Sequence, residues 1–199
     1  MLLLDAMYTT PEASLKTAIR RIDHVTYVTG FENEASFIGS WVALGFRERN
    51  RLHTKQYPAA HIVLVDETAE CGAWGTMTGL SVSQDVHSPI NEFVRRYGTG
   101  VQHVAYGVRP ESDMEALYSR LKLSGWKFIT PLLDYVDEDE ARLRQIFVAP
   151  TLPYGPFVEF VQRLPGKNGK SYNDFDTTNI DNLYSGYDEY SKFLLRKKI

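Results

Sequence analysis

An internal repeat constrains this chain more than any other feature. The stretch Thr99-Gly100-Val101-Gln102-His103-Val104-Ala105-Tyr106 reads as a strand entered through a glycine turn. Arg21-Ile22-Asp23-His24-Val25-Thr26-Tyr27 is a weaker copy with the same His-Val-small-Tyr core. Each copy leads into a helical pattern closed by a glycine and an aromatic residue, Gly45-Phe46 and Gly125-Trp126. In the first copy Asn33 is placed to cap a helix with Phe37, Trp41 and Leu44 on one face, and residues 46–52, 60–65 and 77–82 follow as strands. In the second, Ser112 and Glu115 form a capping box, Met114, Leu117 and Leu121 form the stripe, and residues 126–129, 143–148 and 157–162 follow as strands. A βαβββ unit cannot bury its sheet face alone, so two copies must pair. The expectation is an α+β fold in which modules at 20–85 and 99–164 form one curved sheet around a shared pocket, within a single domain over 1–199.

The flanks are less repetitive. Thr10 and Pro11 mark a helix start, with Leu15, Ala18 and Ile19 as its apolar stripe. The acidic run 134–140 reads as a solvated turn, and 165–174 as a loop. Ile180, Leu183, Tyr187 and Leu194 set a last helix near 180–195, inside a closing segment at 175–196. A net charge of −3 gives no electrostatic reason to expect a nucleic-acid partner. Met1-Leu2-Leu3-Leu4 stops at Asp5, short of a signal core or membrane span, and the single cysteine, Cys71, excludes an internal disulfide. These features lead to a cytoplasmic expectation.

Strand alternation identifies the chemistry. It places Val101, His103 and Ala105 on one face, Ile22, His24 and Thr26 on another, and Glu159 between Phe157 and Val161 in the run Phe157-Val158-Glu159-Phe160-Val161-Gln162-Arg163. A lone strand histidine is ordinarily packing or surface, and His53 and His87 are read that way. His24 and His103 differ because they occupy equivalent positions of a repeat. Two imidazoles and one carboxylate converging from one side leave coordination positions open, as in non-haem Fe(II) oxygenases. The same donors suit Zn, Mn or Ni, so spacing alone leaves the metal undecided.

The repeat and its three strand-borne donors resemble the vicinal-oxygen-chelate superfamily, and within it the catalytic half of the 4-hydroxyphenylpyruvate dioxygenase family. The resemblance rests on Ile22-Asp23-His24, Gly98 to Ala105, Leu143-Arg144-Gln145-Ile146-Phe147, Phe157 to Arg163, and the tail Phe175 to Tyr184. It covers roughly residues 20–195. It implies His24, His103 and Glu159 as Fe(II) ligands. Gln145 and Phe147 then fall at catalytic positions, and Phe157, Phe175, Asn179, His61 and Ser83 at substrate-binding ones. It further implies oxidative decarboxylation of an aromatic 2-oxo acid with O₂, hydroxylation of the same molecule, and a lid formed by the last helix.

The chain departs from the family pattern in two respects. Family enzymes carry two such halves and this sequence matches the catalytic one, which leaves room for a homodimer. His61 and Ser83 stand where the pattern has a small hydroxyl residue and an asparagine; an exposed strand histidine is the plainer account of His61. Gln102 also matches the family, but alternation points it away from the metal face. The alternatives on this scaffold are an extradiol ring-cleaving dioxygenase, a glyoxalase-type metal-dependent isomerase or lyase, and a metal-free protein that sequesters small molecules.

Overall fold

The two copies of the repeat build one curled sheet. The computed structural model describes residues 18–66, 77–172 and 174–197. The first copy gives β1 (Ile19–Gly30), a 3₁₀ turn (Phe31–Asn33), α1 (Glu34–Ala43), β2 (Phe46–Thr54), β3 (Ala59–Asp66) and β4 (Met77–Ser83). A linking helix α2 (Pro89–Tyr97) leads to the second copy: β5 (Gly100–Val108), α3 (Met114–Leu123), β6 (Leu133–Val136), β7 (Arg142–Phe147) and β8 (Phe157–Leu164). Helix α4 (Thr177–Arg196) ends the described chain.

The eight strands run in the order β2-β3-β4-β1-β5-β8-β7-β6, so the halves mirror each other about the antiparallel β1–β5 seam. Within each half the first strand pairs in parallel with the last, β1 with β4 and β5 with β8. Parallel neighbours need a long crossover, which the helix and the intervening hairpin supply in both copies. This arrangement is the paired βαβββ fold.

Helices cover both faces of the sheet. Met114, Leu117 and Leu121 of α3 are almost fully buried against Ile146, Val148 and Phe160. Each contributes about 1.5–3 kcal/mol of apolar burial. Phe37, Ile38 and Trp41 of α1 pack on Ile62, Leu64, Leu80 and Val82. On the concave side, Leu183, Tyr184 and Tyr187 of α4 join Ile90 and Phe93 of α2 over Phe147 and Phe157. Gly45 and Gly125, at φ +92° and +88°, follow the ends of α1 and α3 in the left-handed conformation that glycine adopts without strain.

Several local expectations are corrected. Asn33 stands at the N-cap of α1, but its side chain donates to Glu32 at 3.0 Å, because the preceding 3₁₀ turn holds its backbone helical. Leu44 lies at the end of that helix and is 72% exposed instead of joining its apolar stripe. The cap of α3 is Asp113, not Ser112: its carboxylate accepts from the Glu115 and Ala116 amides, both at 3.0 Å. Residues 126–129 form no full strand and meet β7's flank at one bridge, Phe128 to Val148. Their aromatic side chains are held by Tyr118 and Phe160, and Pro131 just beyond lacks a donor to extend the ladder.

The second strand of the second copy is instead β6, drawn from the acidic run. Asp134 there meets Arg142 and Arg144 of β7 and the neighbouring strand neutralises it, leaving 137–140 as the turn. Helix α2 was not anticipated, although Ser88-Pro89 signals it: the Ser88 hydroxyl accepts from the Asn91 amide at 3.1 Å. Up to residue 17 the helix expected from Thr10 lies outside the described residues, and Ile19, expected on its apolar stripe, instead opens β1. Among the described residues no helix is long and apolar enough to cross a membrane.

Candidate metal centre

His24 on β1, His103 on β5 and Glu159 on β8 meet on the concave face. Glu159 Oε2 is 3.3 Å from His24 Nε2 and 3.4 Å from His103 Nε2, and all three side chains are buried. The ligand atoms lie within 4.8 Å of one another, and among the described residues this is the one such cluster of His, Cys, Asp or Glu. Donors about 2.1 Å from one ion, at right angles or a little wider, stand about 3.0–3.4 Å apart. The carboxylate–imidazole spacing fits a divalent cation.

Two irregularities in the β1–β5 seam produce this convergence. Asp23 is an extra residue between the Ile22–Tyr106 and His24–Ala105 pairs, and Gln102 is an extra residue between Thr26–His103 and Tyr27–Val101. A bulge shifts the faces of the residues on either side of it. Ile22 is therefore 51% exposed while Asp23 and His24 are both buried, and Val101 is 38% exposed while Gln102 and His103 are both buried. Alternation placed Ile22 with His24 and Val101 with His103, and the bulges overturn both assignments. Gln102 is corrected for the same reason. Its Oε1 accepts from the Tyr184 hydroxyl at 3.0 Å, behind the cavity wall, so it does not face away.

Neighbouring side chains hold the far ends of two donors. His24 Nδ1 lies 2.9 Å from Asp23 Oδ1, which leaves Nε2 free toward the cluster. Glu159 Oε1 accepts from Gln145 Nε2 at 3.0 Å, and Gln145 Oε1 accepts from Asn179 Nδ2 at 2.8 Å. His103 stacks on Phe157 at 4.7 Å, and its Nδ1 has no hydrogen-bond partner among the described residues. Asp23 in turn binds the Arg163 guanidinium through three contacts of 3.1–3.3 Å.

Charge follows from these contacts. Burial disfavours a charged His24, but Glu159 and Asp23 outweigh it and push its pKa up to about 9. At His103 burial dominates, and despite Glu159 the pKa falls to about 3. Burial opposes ionisation of Glu159, yet the two histidines and Gln145 hold its carboxyl below the usual range. Asp23 is likewise held down against burial, chiefly by Arg163 and His24.

The triad opens into a cavity whose wall includes His61, Ser81, Phe147, Phe175, Asn179 and Tyr184. Phe175 packs edge-on to His24 at 4.8 Å. His61 is buried, not an exposed strand residue: Nδ1 meets Ser81 Oγ at 2.9 Å, Nε2 meets Thr54 Oγ1 at 3.2 Å, and the ring stacks on Tyr184 at 5.4 Å. Burial, with His53 nearby, drives its pKa down to about 3. Of the residues singled out in the sequence, Gln145, Phe147, His61, Phe175 and Asn179 line this cavity with the triad. Phe157 backs His103 from the core, and Ser83 is turned to the Pro58 carbonyl at 3.0 Å, so neither forms part of the wall. Asp23, Arg163, Ser81 and Tyr184 were given no role from sequence. Asp23 sits beside a donor histidine, which was the available signal, but its inward turn depends on a bulge that alternation does not show.

No protein-family model and no curated protein matches the sequence. Solved structures do. A triple mutant of 4-hydroxymandelate synthase from Streptomyces coelicolor aligns with a TM-score of 0.72 and 20% identity over 86% of this chain. This chain spans 54% of that one, about half its length. A variant of methylmalonyl-CoA epimerase from the same organism, in complex with 2-nitronate-propionyl-CoA, gives 0.55 and 18% identity over 73% of this chain and 98% of its own. The epimerase from Mycobacterium tuberculosis gives 0.55 and 19% identity over 78% and 94%. These likenesses establish the vicinal-oxygen-chelate fold for this chain.

Proposed function

We propose that this chain is a non-haem Fe(II) dioxygenase of the 4-hydroxyphenylpyruvate dioxygenase type, which oxidatively decarboxylates and hydroxylates an aromatic 2-oxo acid. The observation that carries the reading is the convergence of His24 Nε2, His103 Nε2 and Glu159 Oε2 at one end of a cavity walled by Phe147, Phe175 and Tyr184. A facial set of two imidazoles and one carboxylate, with the remaining positions open to a pocket, is the donor pattern of Fe(II) oxygenases. When bound, iron supplies the one-electron and O₂ chemistry that side chains lack.

Charge narrows the ligand class. Two neutral imidazoles and one carboxylate leave a divalent ion with one positive charge. Among the described residues no lysine or arginine lines the cavity. A monoanion that offers two oxygens, as a 2-oxo acid does, would neutralise the site. The same accounting argues against a metal-free pocket for an anion, because without metal the protonated His24 only balances Glu159 and leaves no net positive charge to offer the ligand.

The chain's own contribution is orientation and dryness. Asp23 keeps the His24 proton on Nδ1, Gln145 fixes the carboxylate of Glu159, and Phe147 and Phe175 supply flat apolar walls for an aromatic ring. Helix α4 closes the cavity with Asn179, Ile180, Leu183 and Tyr184 and excludes water from the reacting centre. The name of 4-hydroxymandelate synthase gives that enzyme an aromatic 2-hydroxy acid as its product, which makes aromatic acids the first class to try here. The likeness to methylmalonyl-CoA epimerase favours one other reading, a metal-dependent isomerase. The test is O₂ uptake and CO₂ release by the iron-loaded protein across aromatic, aliphatic and catecholic compounds. Coupled uptake and release with an aromatic 2-oxo acid is expected. Turnover without O₂ would favour the isomerase, and catechol cleavage without CO₂ would favour an extradiol enzyme.

A further inference from the structure

Two hydrogen-bonded routes connect the C-terminal segment to the triad, and each ends on a different donor. The first runs through Arg163 on β8. Its Nε and Nη2 hold Asp23, which orients His24, while its Nη1 donates to the backbone carbonyls of Tyr172 at 2.7 Å and Asp174 at 2.9 Å. One guanidinium therefore joins the support of a metal donor to the chain that leads into α4. Phe175, next in that chain, lies over the guanidinium at 5.4 Å and against the His24 ring at 4.8 Å. The second route starts inside α4. Asn179, held in the first turn by the Asp176 cap, donates to Gln145, which donates to Glu159. His103 Nδ1 has no comparable route among the described residues.

We propose that Arg163 and Asn179 are positioning residues that couple divalent-metal affinity at the triad to the seating of the segment from Tyr172 into α4. With the segment seated, His24 and Glu159 are held in the orientation that presents Nε2 and Oε2 together. With it displaced, Gln145 loses its acceptor-side partner and Arg163 loses both carbonyls. Each of those donors is then less constrained. Linkage makes the coupling reciprocal: a bound cation must hold the segment down by the same factor that seating raises metal affinity. The inference rests on the triad holding a divalent cation and is independent of which reaction follows.

Co(II) alone is a sufficient probe, since its visible spectrum reports coordination and its binding is read without turnover. Backbone hydrogen exchange of residues 174–184 reports the segment. In the wild-type chain Co(II) should slow exchange there and leave α1, which packs on the other face of the sheet, unchanged. Asn179→Ala should weaken Co(II) binding roughly ten- to hundred-fold, as loss of a supporting hydrogen bond commonly does, and should alter the Co(II) band as Glu159 reorients. Asn179→Gln, which retains a donor, should recover part of both. Arg163→Lys keeps a charge beside Asp23 but cannot span two carbonyls, and should both weaken Co(II) binding and speed exchange at 174–184. Failure of the wild-type chain to bind Co(II) would remove the metal site itself. Wild-type Co(II) affinity in Asn179→Ala and Arg163→Lys, or exchange at 174–184 that Co(II) leaves unchanged, would overturn the coupling while the site stands.

Discussion

Metal uptake by this triad should expel one proton and should strengthen steeply with pH. In the metal-free chain His24 titrates near pH 9, His103 near 3, and the Glu159 carboxyl is held below its usual range. At pH 7 His24 therefore carries a proton, while His103 and Glu159 already have free donor atoms. A cation must displace the His24 proton, at a cost of roughly 3 kcal/mol at pH 7, from two pH units at about 1.36 kcal/mol each. The sign follows from the raised pKa: affinity is lost as pH falls below about 9, by about tenfold per unit. Between pH 6 and 9 the association constant should rise about a thousandfold and then level off. Titration calorimetry with Co(II) in buffers of different ionisation enthalpy counts the released protons directly. About one proton at pH 7 is expected. Affinity that does not change from pH 6.5 to 8.5 would refute the reasoning, and release of two protons would mean that His103 is also charged.

The remaining predictions concern stability. Without metal, the chain should be most stable near pH 6.5. Below that, His61 and His103 must charge on unfolding because their folded pKa values lie near 3; above it, the support His24 draws from its raised pKa fades up to about 9. Thermal melts from pH 5 to 9 with a chelator present should show that maximum, and a plateau extending to pH 9 would contradict it. Asp23→Ala leaves the Arg163 guanidinium buried without its counter-ion and should cost about 3–5 kcal/mol in urea denaturation. Leu117→Ala empties a fully buried position under α3 and should cost about 2–5 kcal/mol with metal affinity unchanged.

The repeat carried most of the fold into the sequence. Glycines at 45 and 125, the apolar stripe of α3 and the period-two runs each report a local rule, and the structure obeys them because packing and backbone preference agree there. Donors at equivalent positions were legible for the same reason. The misreadings have a different origin. Alternation assumes an uninterrupted pleat, so the bulges at Asp23 and Gln102 hid the inward turn of both residues and the exposure of Ile22 and Val101. Burial of His61 depends on Ser81, Thr54 and Tyr184, which come from three other elements. The acidic run became β6 because two arginines across the hairpin neutralise Asp134, a pairing fixed only when β7 is in register.

The most direct test of the account is anaerobic titration of the metal-free chain with Fe(II) and phenylpyruvate, followed by visible spectroscopy. A charge-transfer band that needs both components, that is absent in Glu159→Ala while its circular dichroism stays native, and that bleaches with CO₂ release on admitting O₂ is the predicted result. No band with any aromatic 2-oxo acid, from a chain that demonstrably binds Fe(II), would contradict it.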